Sequence, residues 1–161
     1  MVRSWFMNCD IDGVVIREIS KHHDDRGWLA ELFRHDEIDS ESYPTMAYVS
    51  VTKPGVARGP HEHAEQTDLF CFLGPSTFRL YLWDNRESSP TFGAKAVLDL
   101  GETKHALVIV PPGVVHAYRN IGEIDGLVFN APNRLYAGEG KRQSVDEIRH
   151  EDDPESPFQL D

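Results

Sequence analysis

Thr77-Phe78-Arg79-Leu80-Tyr81-Leu82-Trp83, bounded by Gly74-Pro75 before it and Asp84-Asn85 after it, is the segment on which the fold turns. Phe78, Leu80 and Leu82 recur at every second position and therefore share one face, as in a half-buried strand. Short runs rich in Val, Leu, Phe and Tyr continue the pattern outward, at 13–19, 28–33, 46–52 and 69–73 on one side and 94–98, 106–110 and 126–129 on the other. Between them stand Ser89-Pro90, Pro111-Pro112-Gly113 and Gly122, residues that favour turns for steric reasons. No long segment keeps a 3.6-residue period with caps, so little helix is expected. Many short strands at this spacing predict an all-β antiparallel sandwich or barrel, with a jelly roll as the best single architecture.

The 161 residues are expected to form one domain, 1–161, long enough to bury a proper core. With 27 acidic against 16 basic residues the net charge is −11, which argues against a nucleic acid or an anionic membrane as partner. An anionic ligand would have to be held by a few placed arginines. Cys9 and Cys71 are too few for a disulfide framework and suit a reducing compartment. The opening Met1-Val2-Arg3-Ser4-Trp5-Phe6-Met7-Asn8-Cys9-Asp10 lacks a signal-peptide core, and no run approaches the ~18 apolar residues of a membrane span. A cytoplasmic protein is the expectation. The stretch from Glu147 to Asp161 is acidic and broken by proline, and composition makes it a surface segment.

Two histidine blocks carry the chemistry. Gly55-Val56-Ala57-Arg58-Gly59-Pro60-His61-Glu62-His63 places two imidazoles at i and i+2, on the same face of a strand. Pro111-Pro112-Gly113-Val114-Val115-His116-Ala117-Tyr118-Arg119-Asn120 returns a third behind a turn. The pair of blocks resembles the cupin signature of small jelly-roll barrels, with Asp68 where a glutamate is usual and His105 where the second block normally begins with glycine. On this reading His61, His63, Asp68 and His116, the last two from neighbouring strands, form a three-histidine, one-carboxylate site for a divalent transition metal. The competing reading of a His-x-His pair is a surface or hydrogen-bonded pair.

A longer resemblance covers about residues 13–158. Asp25-Arg26-Gly27-Trp28-Leu29-Ala30-Glu31-Leu32-Phe33-Arg34, Arg58-Gly59-Pro60-His61, Arg86-Glu87-Ser88-Ser89-Pro90-Thr91-Phe92-Gly93, Val110-Pro111-Pro112-Gly113-Val114-Val115-His116 and Asp152-Asp153-Pro154 resemble, in order, landmarks of the dTDP-4-dehydrorhamnose 3,5-epimerase family. The resemblance implies a cupin-fold homodimer, typically without metal, acting on a nucleotide-linked 4-keto-6-deoxyhexose in deoxysugar and polysaccharide synthesis. A C4 ketone acidifies the C–H bonds at C3 and C5, so the reaction needs a base, stabilisation of the enolate oxygen, and an acid on the other face. By resemblance the base is His61, oriented by Asp153 or its neighbour Asp152. Arg58, with Arg26 and Glu31 on an early strand exchanged between subunits, lines the substrate pocket, and His116 completes the binding set. A guanidinium suits a pyrophosphate because its fork pairs two oxygens. The plain alternative for Arg26 is a surface ion pair within Asp24-Asp25-Arg26. Trp28 and Phe33 are core residues or stack on the ligand.

The chain also departs from the family. The family's lysine, which steadies the enolate, falls at Asp68, and its tyrosine, the acid, falls at Phe129; Tyr118 or Tyr136 would have to enter from elsewhere. Met46, Ala47 and Tyr48 stand where polar residues are usual. Three functions are therefore carried forward: an epimerase, with action at C3 alone left open; a metal-dependent cupin isomerase or oxygenase, in which Glu65 is the nearest replacement base; and a sugar-nucleotide-binding relic without turnover.

Overall fold

The structure, a computed structural model, describes residues 9–161. Met1 to Asn8, most of the opening stretch that lacks a signal-peptide core, lie outside the described residues. Among the described residues twelve strands run in chain order: β1 Val15–Glu18, β2 His22–Asp24, β3 Gly27–Leu29, β4 Tyr48–Thr52, β5 Ala57–Glu62, β6 Asp68–Phe72, β7 Thr77–Asp84, β8 Lys95–Gly101, β9 Ala106–Val110, β10 Val114–Asn120, β11 Gly126–Asn130 and β12 Ile148–Arg149. They build two five-stranded antiparallel sheets, β1-β9-β6-β11-β4 and β12-β5-β10-β7-β8, with β2 and β3 as a separate hairpin. This is the expected jelly roll. Among the described residues the only helical pieces are two single 3₁₀ turns, Ser40–Ser42 and Glu139–Lys141.

The alternation in β7 sets the layers. Phe78, Leu80 and Leu82 enter the core between the sheets with Phe70, Phe72, Val108 and Val128. Each fully buried side chain of this size contributes roughly 1.5–3 kcal/mol of burial free energy. Tyr81 and Trp83 point the other way, beneath Phe158 and Leu160 of the C-terminal stretch. That stretch is therefore more than the surface segment its composition suggested. Ile148 and Arg149 pair with Glu62 and His61 at the edge of β5, and the Asp161 carbonyl accepts hydrogen bonds from Tyr81 and Arg119.

The expected strand at 28–33 is shorter than predicted and ends at Leu29. Ala30, Leu32 and Phe33 instead cover the outer face of the first sheet, against Leu69, Cys71, Leu107 and Ile109. Phe33 is thus a packing residue, while Trp28 is half exposed and carries the Lys21 ammonium 4.1 Å from its ring.

Candidate active site

The histidine blocks meet at one end of the barrel. β5 and β10 are antiparallel neighbours, and His61 lies directly opposite His116 in their ladder. The two rings stand 4.6 Å apart, nearly perpendicular. Gly59 makes this approach achievable: its backbone has φ +83°, and an added Cβ would lie 2.5 Å from the His116 carbonyl oxygen. His63 follows β5 by one residue, and one nitrogen from each of His61, His63 and His116 falls within a 4.8 Å cluster.

Asp68 completes the group from the facing sheet, not from a neighbouring strand as the sequence suggested. Its Oδ2 is 3.0 Å from His63 Nε2 and 3.1 Å from His116 Nε2, and its Oδ1 accepts a hydrogen bond from the Gln66 amide at 2.8 Å. The other nitrogens of the two rings are fixed by backbone carbonyls. His116 Nδ1 donates to Val114 O at 3.0 Å, and His63 Nδ1 donates to Asp146 O. Both Nε2 atoms are thereby aimed at one carboxylate oxygen, an arrangement that is favourable only with a proton or a cation between them.

Ionisation follows from this geometry. Burial opposes charge on His63, but the adjacent Asp68 carboxylate outweighs it and raises the imidazole to about 9. Asp68 itself, despite burial, is held well below the usual carboxylate range by the same histidines. His61 behaves oppositely. Burial first, then the neighbouring His116 and His63, lower it to about 2, so it is a neutral base at any physiological pH.

The signs predict a stability profile for chelator-treated protein. His63 is raised above its unfolded value of 6.5, so its stabilisation is complete below pH 6.5 and is lost as pH rises through about 9. His61 is lowered from the same 6.5, so it favours the fold as pH rises from about 2 towards 6.5. Thermal melts across the range should peak in Tm near pH 6.5 and decline towards pH 9. The alkaline decline should flatten in His63→Gln.

His61 Nδ1 is buried without a hydrogen-bond partner among the described residues. The carboxylates nearest to it are Glu151, at 3.6 Å, and Glu147, at 3.9 Å. Asp153 is not among them, which corrects the pairing inferred from the sequence. The chain turns at His150, where Asp153 N bonds back to the His150 carbonyl, and the exposed Asp153 carboxylate accepts from Glu155 N at 2.9 Å. Asp152 is exposed as well. Burial raises the Glu151 carboxyl, as befits a group that gains most when an imidazolium forms beside it. Glu151→Gln should therefore lower kcat by roughly 10–100-fold with little change in KM, whereas Asp153→Asn should stay within about two-fold of wild type. Steady-state kinetics on the two variants check this.

The site opens into a cavity of about 1180 Å³. Arg58 lies on its wall, held by Thr52 Oγ1 at 2.9 Å and Val51 O at 2.8 Å, with no carboxylate partner among the described residues. Arg26 and Glu31 do not line this cavity. Arg26 is exposed and paired with Asp24 at 2.5 Å, and Glu31 is 3.4 Å from Arg34. Glu65, the replacement base considered for a metal site, is exposed at the rim and paired with Arg134 at 2.9 Å. Phe129 turns outward, against the cluster on the outer face of its sheet, so the residue that β11 presents to the cavity is Asn130. A one-residue offset thus reverses the face assigned to the family's tyrosine.

Asp146 was invisible to motif reasoning. Its carboxylate accepts hydrogen bonds from the backbone N–H groups of Ala64, Glu65 and Gln66 at 2.8–2.9 Å, and its carbonyl holds His63. One side chain thus clamps the loop between His63 and Asp68.

The family model described as dTDP-4-dehydrorhamnose 3,5-epimerase matches residues 8–153. The spore coat polysaccharide biosynthesis protein SpsL of Bacillus subtilis (strain 168) is 41% identical over 113 residues, 70% of this chain and 74% of that protein. The Haloferax volcanii protein named "Probable low-salt glycan biosynthesis epimerase Agl13" is 38% identical over 129 residues, 79% of this chain and 81% of that protein. Among solved structures, the dTDP sugar isomerase of Desulfovibrio desulfuricans G20 superposes with a TM-score of 0.79 at 24% identity, covering 92% of this chain and 91% of the other, which establishes the shared fold. The chain belongs to the dTDP-4-dehydrorhamnose 3,5-epimerase family.

Proposed function

We propose that this protein epimerises a dTDP-linked 4-keto-6-deoxyhexose at C3, with or without C5, in the synthesis of a surface glycan. The observation that carries the reading is His61. It is a buried imidazole kept neutral, with Glu151 and Glu147 beside its Nδ1, on the wall of a cavity also lined by Arg58, which has no carboxylate partner among the described residues. The carboxylates orient the ring and stabilise the imidazolium, leaving Nε2 as the base that removes a proton next to the ketone. Arg58 offers its guanidinium to the diphosphate. The names of SpsL and Agl13, a polysaccharide protein and an epimerase, support the same pathway class. The test is incubation with dTDP-4-keto-6-deoxyglucose and NMR of the sugar ring couplings. Inversion at C3 supports the reading, and an unaltered sugar at saturating enzyme refutes it.

A second reading has its own observation, the convergence of His63 Nε2 and His116 Nε2 on Asp68 with His61 alongside. Three imidazoles and a carboxylate, two of the rings fixed through Nδ1 by backbone carbonyls, fit a divalent transition ion. Such an ion, when bound, would supply charge stabilisation to an enolate oxygen, the task of the family's missing lysine. His61 would then be a ligand and could not serve as the base. Elemental analysis of untagged protein, repeated on His63→Gln, decides between the readings: stoichiometric metal lost in the variant favours the second.

We also propose a homodimer. Among the described residues the β2–β3 hairpin pairs only with itself, Trp28 and Leu29 are 50% and 58% exposed, and Val49 and Val51 on edge strand β4 are 55% and 53% exposed. Isolated hairpins are marginal in water, and a second copy covering these surfaces would give Arg26 and Glu31 a cavity to reach. Light scattering should report twice the chain mass.

A further inference from the structure

Inversion requires a proton donor facing the base across the substrate. His61 and His116 sit on the β12-β5-β10-β7-β8 sheet, so the donor has to come from the facing sheet. Within that sheet the position inferred for the family's tyrosine is a phenylalanine turned outward. The strand that fills the gap is β4. Its alternate residues Tyr48, Ser50 and Thr52 share one face, Thr52 buried and Tyr48 48% exposed where it lines the cavity, while Val49 and Val51 between them turn to the other face. Ser50 Oγ reaches the Tyr118 hydroxyl across the barrel at 3.0 Å, and Thr52 is buried against Arg58. Tyr48, paired with Asn130 in the ladder, lines the same cavity as His61.

We propose that Tyr48 is the acid of the reaction, an inference that rests on the epimerase reading above. His61 takes the proton at C3. The C–H electron pair becomes the enolate C=C bond, and the carbonyl π pair moves to the C4 oxygen. On the opposite face the Tyr48 O–H gives its proton to C3. The C=C pair forms the new C–H bond, the carbonyl re-forms, and the O–H pair remains on the tyrosinate. Transfer of the proton from His61 through solvent to the tyrosinate restores both groups.

Two observations favour Tyr48 over the other tyrosines near the cavity. Tyr118 is on the same sheet as His61, and its hydroxyl is engaged by Ser50. Tyr136 also lines the cavity but belongs to the segment between β11 and β12 and not to the facing sheet. Nothing among the described residues hydrogen-bonds the Tyr48 phenol; burial of its hydroxyl end, then the nearby Asp68 carboxylate, push its pKa upward and keep it protonated.

The experiment is Tyr48→Phe with dTDP-4-keto-6-deoxyglucose in D2O, scoring two signals: deuterium at C3 of recovered substrate, and inverted product. With the base intact and the acid gone, exchange should remain within about three-fold of wild type while product formation falls by about 10²-fold or more. Product at the wild-type rate would overturn the proposal. So would an equal loss of both signals, which marks a merely structural role, or loss of product in Tyr118→Phe alone. Absence of exchange in the wild-type protein would instead refute the epimerase reading, and the proposal with it.

Discussion

Replacing His61 with asparagine is expected to abolish turnover, by about 10³-fold or more, and with it deuterium exchange at C3. The asparagine amide occupies a similar position but has no basic nitrogen. Stability should move the other way or not at all. His61 is buried and neutral, and its Nδ1 lacks a hydrogen-bond partner among the described residues, so its removal breaks no ion pair. A His61→Asn protein that unfolds within about 1 kcal/mol of wild type, yet shows neither exchange nor product, is the expected combination. Wild-type activity in this variant would remove His61 from the mechanism.

The largest loss of stability is expected from Asp68→Ala. Asp68 is 5% exposed and neutralises the His63 imidazolium. Without it a buried charge is left unpaired, a change that typically costs about 3–5 kcal/mol, or roughly 10 °C in Tm for a chain of this size. Part of the penalty is avoided if His63 gives up its proton, so the alkaline slope of the stability profile should vanish in the variant. Urea unfolding of chelator-treated protein at pH 6 and pH 9 measures both effects. A double change of His63 and Asp68 to leucine should recover part of the loss, because it removes the charge together with its partner.

These expectations rest unevenly on the sequence. The alternation in Thr77–Trp83 gave the layers correctly, since a strand with one face in the core and the other under a cover has only one periodicity available. His61, His63 and His116 were legible because their spacing within a strand and behind a turn fixes the face they share. The carboxylate beside His61 was not. Glu151 and Asp153 are only two residues apart, and the turn from His150 to Asp153 decides which faces inward. Phe129 failed for a related reason, because a one-residue error in a strand exchanges its inner and outer faces. Asp146 follows no motif, and its three backbone N–H partners lie 80–82 residues away in the sequence. In the C-terminal stretch, Phe158 and Leu160 are the apolar side chains that cover Tyr81 and Trp83, too few to outweigh its acidic composition.

The step on which the mechanism turns is removal of a proton next to a ketone by a neutral, buried His61. It is tested most directly by incubating wild-type protein with dTDP-4-keto-6-deoxyglucose in D2O, with and without chelator, and following the ring protons by ¹H NMR. The C3–H signal is expected to disappear at the same rate in both samples while inverted sugar accumulates. Persistence of both the C3–H and the C5–H signals at saturating substrate would contradict it.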